Sequence, residues 1–166
     1  MIILGIDPGL AIVGYGVVEY KASRFQTLDF GAILTPSGTP VEDRLVQIGQ
    51  SMDRLLQLYH PDEMAIEELF FNNNRTTGIA VAEARGVILE HARAAGLSLF
   101  EYTPSQVKQA VVGYGKAEKK QVIQMVRRIL NLGETLKLDD TADALAIAVC
   151  HAHTGASRLK SFYNLK

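Results

Sequence analysis

The first third of the chain contains three strand-like segments joined by short connections. Residues 2–6 form an isoleucine-rich run that ends before Pro8 and Gly9, and Val13–Tyr20 follows. In Phe25–Leu34, apolar side chains recur at every second position, which is typical of a strand. Because short connections join antiparallel neighbours, we expect these three strands to form an antiparallel meander.

The rest of the chain alternates helical and strand patterns. Capping boxes at Thr39 and Thr103 predict two helix starts, because each hydroxyl residue is followed by proline and then by Glu or Gln at the third position. Strand, helix and strand in this order predict a parallel crossover. The expected elements are a helix from Thr39 that ends before Pro61, a strand at Met64–Ile66, a helix at Thr77–Ala95, a strand at Leu97–Tyr102, and helices at Thr103–Val112, Ala117–Leu130 and Thr141–Ala152.

These elements predict an α/β fold: a mixed sheet of three antiparallel strands and then parallel strands, flanked by helices on both faces. A length of 166 residues with 48% hydrophobic content suits one domain, expected at 1–155, with a flexible tail at 156–166. The single Cys150 excludes an intramolecular disulfide, and no apolar stretch is long enough to cross a membrane. We therefore expect a soluble, cytoplasmic protein.

Four carboxylates have positions that suit a catalytic centre. Asp7 and Glu67 each end an apolar strand, where an ionised carboxylate loses hydration and needs cations or hydrogen-bond donors. Asp140 and Asp143 are three residues apart at the start of the last helix, so their side chains emerge on one face. We take these four acids as catalytic and metal-binding candidates. Glu68 should point to the opposite face from Glu67, since side chains alternate along a strand.

Each acid also has an ordinary structural explanation. Asp7 is able to accept backbone N–H bonds from the Pro-Gly turn that follows it. Asp140 and Asp143 suit a first helical turn, where acids complement the helix dipole, although Asp139 is the better candidate for the cap. The combination favours a metal site, because four neighbouring carboxylates repel one another unless cations hold them.

The donor set also indicates which metal would bind. Oxygen-only ligands without a Cys or His cluster favour Mg²⁺, with Mn²⁺ as a substitute, over Zn²⁺. Two ions held about 3.5–4 Å apart form the usual clamp for in-line displacement at a phosphodiester. His91, His151 and His153 look like helix-surface or helix-end residues and are not expected to bind metal. The sequence thus predicts a metal-dependent nuclease with two ions in each active site.

A local cationic segment stands against a formal net charge of -1 for the whole chain. Across 108–128 one acid, Glu118, is present with six basic residues: Lys108, Lys116, Lys119, Lys120, Arg127 and Arg128. A solvated helix face explains such residues too, but a protein that binds a polyanion needs this concentration. We also expect DNA contacts from Arg75, in a polar loop, and from Phe70, which would stack on an unpaired base unless it packs in the core.

Several motifs taken together resemble RuvC-type Holliday-junction resolvases, and the match spans nearly the whole chain. The resemblance implies a ribonuclease-H-like fold and a homodimer that makes paired symmetric nicks across a four-way DNA junction, in recombination and repair. It also implies a branch-migration helicase complex as a partner. The motifs are GIDPG at 5–9, GYG at 14–16, AIEE at 65–68, QVKQAVVGYGKAEKKQV at 106–122 and DTADALAIA at 140–148.

By motif position, the resemblance implies that the four acids are the metal-binding catalytic residues. It implies that Lys108 and Lys119 contact DNA near the scissile phosphate and that Phe70 stacks at the junction centre. It also implies attack by a metal-activated water, which leaves 5′-phosphate and 3′-hydroxyl ends. The dimer contact is implied around the long middle helix, whose small residues suit close packing: Ala80, Ala82, Ala84 and Gly86.

Three rival interpretations are weaker. Actin-like sugar kinases and ATPases also place Asp-x-Gly after a first strand, but they need two such lobes, and this chain is long enough for one. A related nuclease acting on RNA would share the first motif, but the basic segment at 106–122 and the loop that carries Phe70 favour the junction enzyme. A protein that only binds DNA would be expected to have lost at least one of the four acids, and none is missing.

Overall fold

The structure is a computed structural model that describes residues 1–69, 75–133 and 139–154, without the side chains of residues 75–77, 139 and 140. The expected tail at 156–166 lies outside the described residues. The elements are β1 (Ile2–Asp7), β2 (Ile12–Lys21), β3 (Arg24–Leu34), α1 (Val41–Tyr59), β4 (Glu63–Glu67), α2 (Arg75–Ala94), β5 (Ser98–Tyr102), α3 (Pro104–Val112), α4 (Lys119–Ile129) and α5 (Asp139–Thr154).

The five strands form one mixed sheet in the order β3-β2-β1-β4-β5. The first three strands pair antiparallel, as the short connections predict. β4 then pairs parallel with β1, and β5 pairs parallel with β4 after the α2 crossover. The predicted order of an antiparallel half followed by a parallel half is therefore confirmed.

Helices cover both faces of the sheet, as predicted, and each face has its own core. On one face, α1 and α2 bury the apolar stripe that includes Ile48, Met52 and Ile88 against Leu4 and Ile66 of the strands. A second cluster, made by α3, α4 and α5, covers the other face. Alternation along each strand thus decides which helices a given side chain can meet.

The central helix α5 approaches the sheet more closely than side chains on both surfaces would allow. A Cβ added to Gly5 would lie 2.2 Å from the carbonyl oxygen of Ala144, and one added to Gly16 would lie 2.6 Å from Leu145 Cδ2. Glycines on β1 and β2, with small residues such as Ala148 on α5, make this contact possible. The close contact fixes α5 against the strand that ends in Asp7.

The structure confirms one predicted capping box and contradicts the other. Thr103 accepts from the backbone N–H of Gln106 at 3.1 Å, and the Gln106 side chain accepts from the Thr103 N–H at 2.8 Å. At α1 the prediction was wrong: Pro40 is the cap residue, with ψ 145° and no side-chain capping bond. The physical reason is that the Thr39 N–H, which a capping box would offer to the Glu42 side chain, donates instead to the Pro36 carbonyl.

Helix boundaries near the predicted site also differ by a turn or less. α4 begins at Lys119, after Ala117 has entered a turn with Tyr114, and not at Ala117 as predicted. α5 begins at Asp139, which therefore occupies the first helical position and not the cap position expected for it. None of the helices in the described ranges combines the length and the apolarity needed to cross a bilayer.

Candidate active site

Two predicted acids lie side by side at the carboxyl ends of parallel strands. The β1–β4 register pairs Ile6 with Ile66, so the next residues on the two strands are Asp7 and Glu67. Both isoleucines face the α1–α2 core. Because side chains alternate, Asp7 and Glu67 face the opposite side, toward α5.

The third predicted acid, Asp143, comes to the same place from α5. With Glu67 it lines a cleft of about 220 Å³, to which α3 contributes Lys108 and α4 contributes Lys119. The Lys119 ammonium is 3.0 Å from the Asp143 carboxylate, and both side chains are partly exposed. Residues 76 positions apart on different elements, Glu67 and Asp143, thus share one charged, solvent-accessible site.

The electrostatics of Glu67 show how crowded this site is. Burial raises the pKa of its carboxyl above the ordinary range, and the negative charge of Asp143 raises it further. The ammonium groups of Lys108 and Lys119 oppose this shift in the pKa without cancelling it. Burial is the largest cause of the raised pKa, and a second acid lies beside this carboxylate, so an added cation would stabilise its ionised form.

The donor set fits a hard divalent cation. Glu67 and Asp143 offer carboxylate oxygens in one cleft, and Asp7 ends the neighbouring strand on the same face. In the described residues, no three His, Cys, Asp or Glu side chains converge closely enough to hold a metal by themselves. The side chain of Asp140, the fourth predicted ligand, lies outside the described residues.

The remaining predicted DNA contacts divide into two groups. Lys116 and Lys120 are exposed beside α4 but do not line the cleft. Phe70 and the side chain of Arg75 lie outside the described residues, so their predicted contacts stay predictions. Of the four predicted lysines, Lys108 and Lys119 therefore line the cleft, and Lys116 and Lys120 lie on the exposed surface.

The Glu68 side chain points away from the cleft, as the alternation of side chains along a strand predicts. Its backbone N–H donates to the Tyr102 carbonyl at 2.9 Å. Its charge acts on Glu101, which forms an ion pair with the nearly buried Arg85 of α2. Of the two adjacent glutamates, only Glu67 belongs to the cleft.

His151 lies in the last turn of α5, as expected of a helix-end residue, but the expectation of a surface position was wrong. This side chain is 1% exposed, and its Nε2 lies 2.6 Å from the Glu63 carboxylate. Its Nδ1 lies 2.7 Å from the Tyr102 hydroxyl, and the Phe100 ring packs beside it. His151 and Tyr102 are therefore buried under α5 beside the partly exposed Glu63, and sequence reasoning missed this cluster because its members come from three separate elements.

Some of the small residues expected at a dimer contact are buried within the chain, and others are exposed. Ala84 is fully buried in the core of its own chain, and Ala80 packs against that core. Gly86 is exposed and open, and Ile79 is 59% exposed. Ala84 is therefore unavailable to a partner, because α2 uses that side of the helix to pack against α1 and the sheet.

Four apolar residues that sequence reasoning did not assign to the site also line the cleft. Their positions in apolar helical stripes are the same as those of core residues, so the sequence carries no separate signal for them. They give the charged groups a low-polarity wall, which strengthens electrostatic interactions there. These residues are Pro104, Val107, Val122 and Ile147.

Comparison with known proteins gives consistent matches along the chain. The family described as "Crossover junction endodeoxyribonuclease RuvC" matches residues 3–151. The protein of that name from Alkaliphilus oremlandii is 57% identical over 155 residues, which are 93% of this chain and 94% of the relative. Its counterpart from Alkaliphilus metalliredigens is 54% identical over 166 residues, which cover both chains completely.

A solved structure supports both the fold and the family. The structure described as "T. thermophilus RuvC in complex with Holliday junction substrate" is similar with a TM-score of 0.88 and 38% identity. The similarity covers 93% of this chain and 94% of that one. The predicted ribonuclease-H-like mixed sheet is thereby confirmed. With a family match across nearly the full length and relatives above 50% identity, the chain belongs to the RuvC family of crossover junction endodeoxyribonucleases.

Proposed function

We propose that this protein is a structure-selective endodeoxyribonuclease that resolves four-way DNA junctions by paired symmetric nicks. The observation that carries the proposal is the cleft in which Glu67 and Asp143 meet Lys108 and Lys119. Nuclease chemistry needs acids that hold cations and bases that hold phosphate, and this cleft supplies both. Membership of the RuvC family makes the four-way junction the expected substrate.

Four acids would hold the metal: Asp7, Glu67, Asp143 and, outside the described side chains, Asp140. Two divalent ions, with Mg²⁺ expected and Mn²⁺ as a substitute, would activate a water for attack on phosphorus and stabilise the leaving 3′ oxygen. We propose Lys108 as a group that attracts the scissile phosphate, because its ammonium faces Glu67 across the cleft. No residue of the chain needs to form a covalent intermediate.

Lys119 has a different part in this scheme. Its ammonium is 3.0 Å from Asp143, so in the absence of bound cations it stabilises the charge of that carboxylate. With cations held by the acids, the same ammonium would be able to contact a phosphate oxygen. Lys119 would then pair with Asp143 between reactions and contact DNA during them.

Paired nicks require two active sites, and we propose that a homodimer supplies them. A four-way junction has approximate two-fold symmetry, so a two-fold dimer would present one cleft to each of two opposed strands. The outward side of α2 suits the contact, because exposed Ile79 lies seven residues, about two helical turns, from Gly86. A branch-migration helicase complex is the further partner proposed from family membership.

The test is incubation with a synthetic mobile four-way junction and Mg²⁺. We expect wild-type protein to release nicked duplexes whose two cuts are symmetric and can be sealed by ligase. Asp7→Asn should bind the junction with wild-type affinity and fail to cut it, because the substitution removes one metal ligand and leaves the basic surface intact. Binding without symmetric cleavage by wild type, or full cleavage by Asp7→Asn, would contradict the proposal.

A further inference from the structure

The loop between α3 and α4 carries an aromatic side chain that no role assigned so far explains. Tyr114 is 44% exposed and is the one exposed aromatic residue among those the structure describes. Aromatic side chains are usually buried because of their large apolar surface. A tyrosine left in solvent next to a lysine-rich helix is therefore a candidate for contact with a ligand.

Hydrogen bonds hold this loop in one conformation. Gly113 has the left-handed φ of 98°, and its N–H and carbonyl are both bonded to Gln109, at 3.0 and 2.7 Å. The Tyr114 hydroxyl donates to Gln121 Oε1 at 2.7 Å, and the Glu118 N–H donates to the same oxygen at 2.8 Å. The ring is therefore held through its hydroxyl in a residue that stays exposed, so little conformational entropy is lost when a planar ligand binds.

The loop also lies close to the cleft. A Cβ added to Gly115 would be 2.4 Å from Ser105 Oγ, so the loop folds back against the first turn of α3. Ser105 follows Pro104, which lines the cleft together with Glu67 and Asp143. Tyr114 is therefore the neighbour in sequence of Gly115, which packs on α3 at the edge of the catalytic cleft.

Three lysines follow this aromatic residue within six positions of the sequence. Lys116 and Lys120 are exposed on either side of the α4 start, and Lys119 extends into the cleft. The nearby acid, Glu118, occupies the helix cap. An aromatic face among lysines is the combination that binds nucleic acid, since the lysines hold phosphates and the ring stacks on a base.

We infer that Tyr114 is a DNA-contacting residue that stacks on an unpaired or exposed base near the scissile phosphate, while Lys116 and Lys120 hold the adjoining backbone. The inference rests on the proposed junction-cleaving function and adds a specific contact to it. Tyr114 would act in binding and in placing the strand, and it would not take part in the bond-breaking step.

The experiment compares Tyr114→Phe, Tyr114→Leu and Lys116→Ala with wild type, in EDTA so that no metal-dependent cleavage occurs. Junctions carry the fluorescent base 2-aminopurine at successive positions around the cleavage site, and affinity is measured between about 50 and 200 mM salt. Leu58→Ala is the matched control, because Leu58 is 68% exposed on α1, on the opposite face of the sheet. Thermal melting of each variant reports folding.

We expect wild type to quench 2-aminopurine at one position next to the cleavage site. Tyr114→Phe should keep quenching and bind within about 2-fold of wild type, because the stacking ring is preserved. Tyr114→Leu should lose quenching and bind roughly 5- to 150-fold more weakly with an unchanged salt dependence. Lys116→Ala should instead reduce the salt slope by about 1, and Leu58→Ala should change neither property.

Two results would overturn the inference. One is wild-type affinity and quenching in Tyr114→Leu, or no quenching by wild type at any position. The other is equal loss of affinity in Tyr114→Phe and Tyr114→Leu with lower melting temperatures, which would show that the hydroxyl bond to Gln121 is the whole role of the tyrosine. Failure of the proposed function is distinguishable, because wild type would then not cleave the junction in Mg²⁺, whatever the binding data show.

Discussion

The two ends of α5 carry polar side chains on the same face of the sheet, but in opposite environments. Near its first turn, Asp143 is 30% exposed in the open cleft beside Glu67 and Lys119. Eight residues later, His151 is 1% exposed and is bonded on both ring nitrogens, to Glu63 and Tyr102. About 12 Å of helix separates the two residues along its axis.

The difference teaches how one helix combines stability with chemistry. The buried end satisfies its polar groups internally, as burial of such groups requires. The open end leaves Glu67 with a raised pKa, because burial and Asp143 outweigh the two lysines. Polar groups that bond to one another stabilise the fold, whereas neighbouring acids in an open cleft are able to bind an external cation. The predictions below separate these two roles.

Glu67→Gln tests the open end and should have the largest effect. The substitution preserves shape and removes a metal-binding charge, so we expect kcat to fall by at least about 100-fold with junction binding retained. Glu68→Gln is the matched control, since Glu68 lies on the other face of the sheet, and kcat should stay within about 3-fold of wild type. Single-turnover cleavage in Mg²⁺ measures both. Equal losses in the two variants would refute the assignment of Glu67 alone to the cleft.

His151→Ala tests the buried end. The change leaves the Tyr102 hydroxyl and the Glu63 carboxylate without their ring partners, so we expect a loss of about 2–4 kcal/mol in the free energy of unfolding. The melting temperature should fall by roughly 5–15 °C. His153→Ala is the control, because that ring is exposed two residues later, and it should cost less than about 1 kcal/mol. A melting temperature unchanged by His151→Ala would show that the buried cluster does not stabilise the fold.

Lys119→Ala should have a smaller effect at the open end. Loss of its ammonium removes the partner 3.0 Å from Asp143, and we expect kcat to fall by about 10-fold. Lys120→Ala removes an exposed lysine outside the cleft, so it should weaken binding and reduce its salt slope by about 1 with little change in kcat. Rates at saturating junction and affinities across a salt series distinguish the two. Identical behaviour would mean that both lysines serve only the general electrostatic attraction.

The last and smallest expected effect concerns the thiol of Cys150, which is the residue before His151 in the buried cluster. Burial raises the pKa of its thiol to about 12, so little reactive thiolate forms at pH 8. We expect a thiol reagent to modify native protein roughly 100-fold or more slowly than unfolded protein. Above about pH 9 the unfolded chain loses this proton while the folded chain retains it, so stability should decrease as pH rises. Rapid modification of native protein at pH 8 would contradict the burial of this end.

Local pattern was enough to predict much of the fold. Alternation in Phe25–Leu34 and the short loops predicted the meander, and the Thr103 capping box predicted α3, because both signals act between residues close in sequence. The same logic failed at Thr39, where a turn with Pro36 competed for the capping position. A capping motif therefore predicts a helix cap only when no neighbouring turn uses the same backbone N–H groups.

The sequence by itself determined that acids end β1 and β4, that Glu67 and Glu68 point to opposite faces, and that Lys108 and Lys119 belong to a basic segment. Strand period, helix spacing and charge are properties of neighbouring residues, so they can be read from the chain. Only the tertiary structure decided that Asp143 lies 3.0 Å from Lys119 and that His151 is buried against Glu63. These contacts depend on how closely α5 packs on Gly5, which brings together residues far apart in sequence.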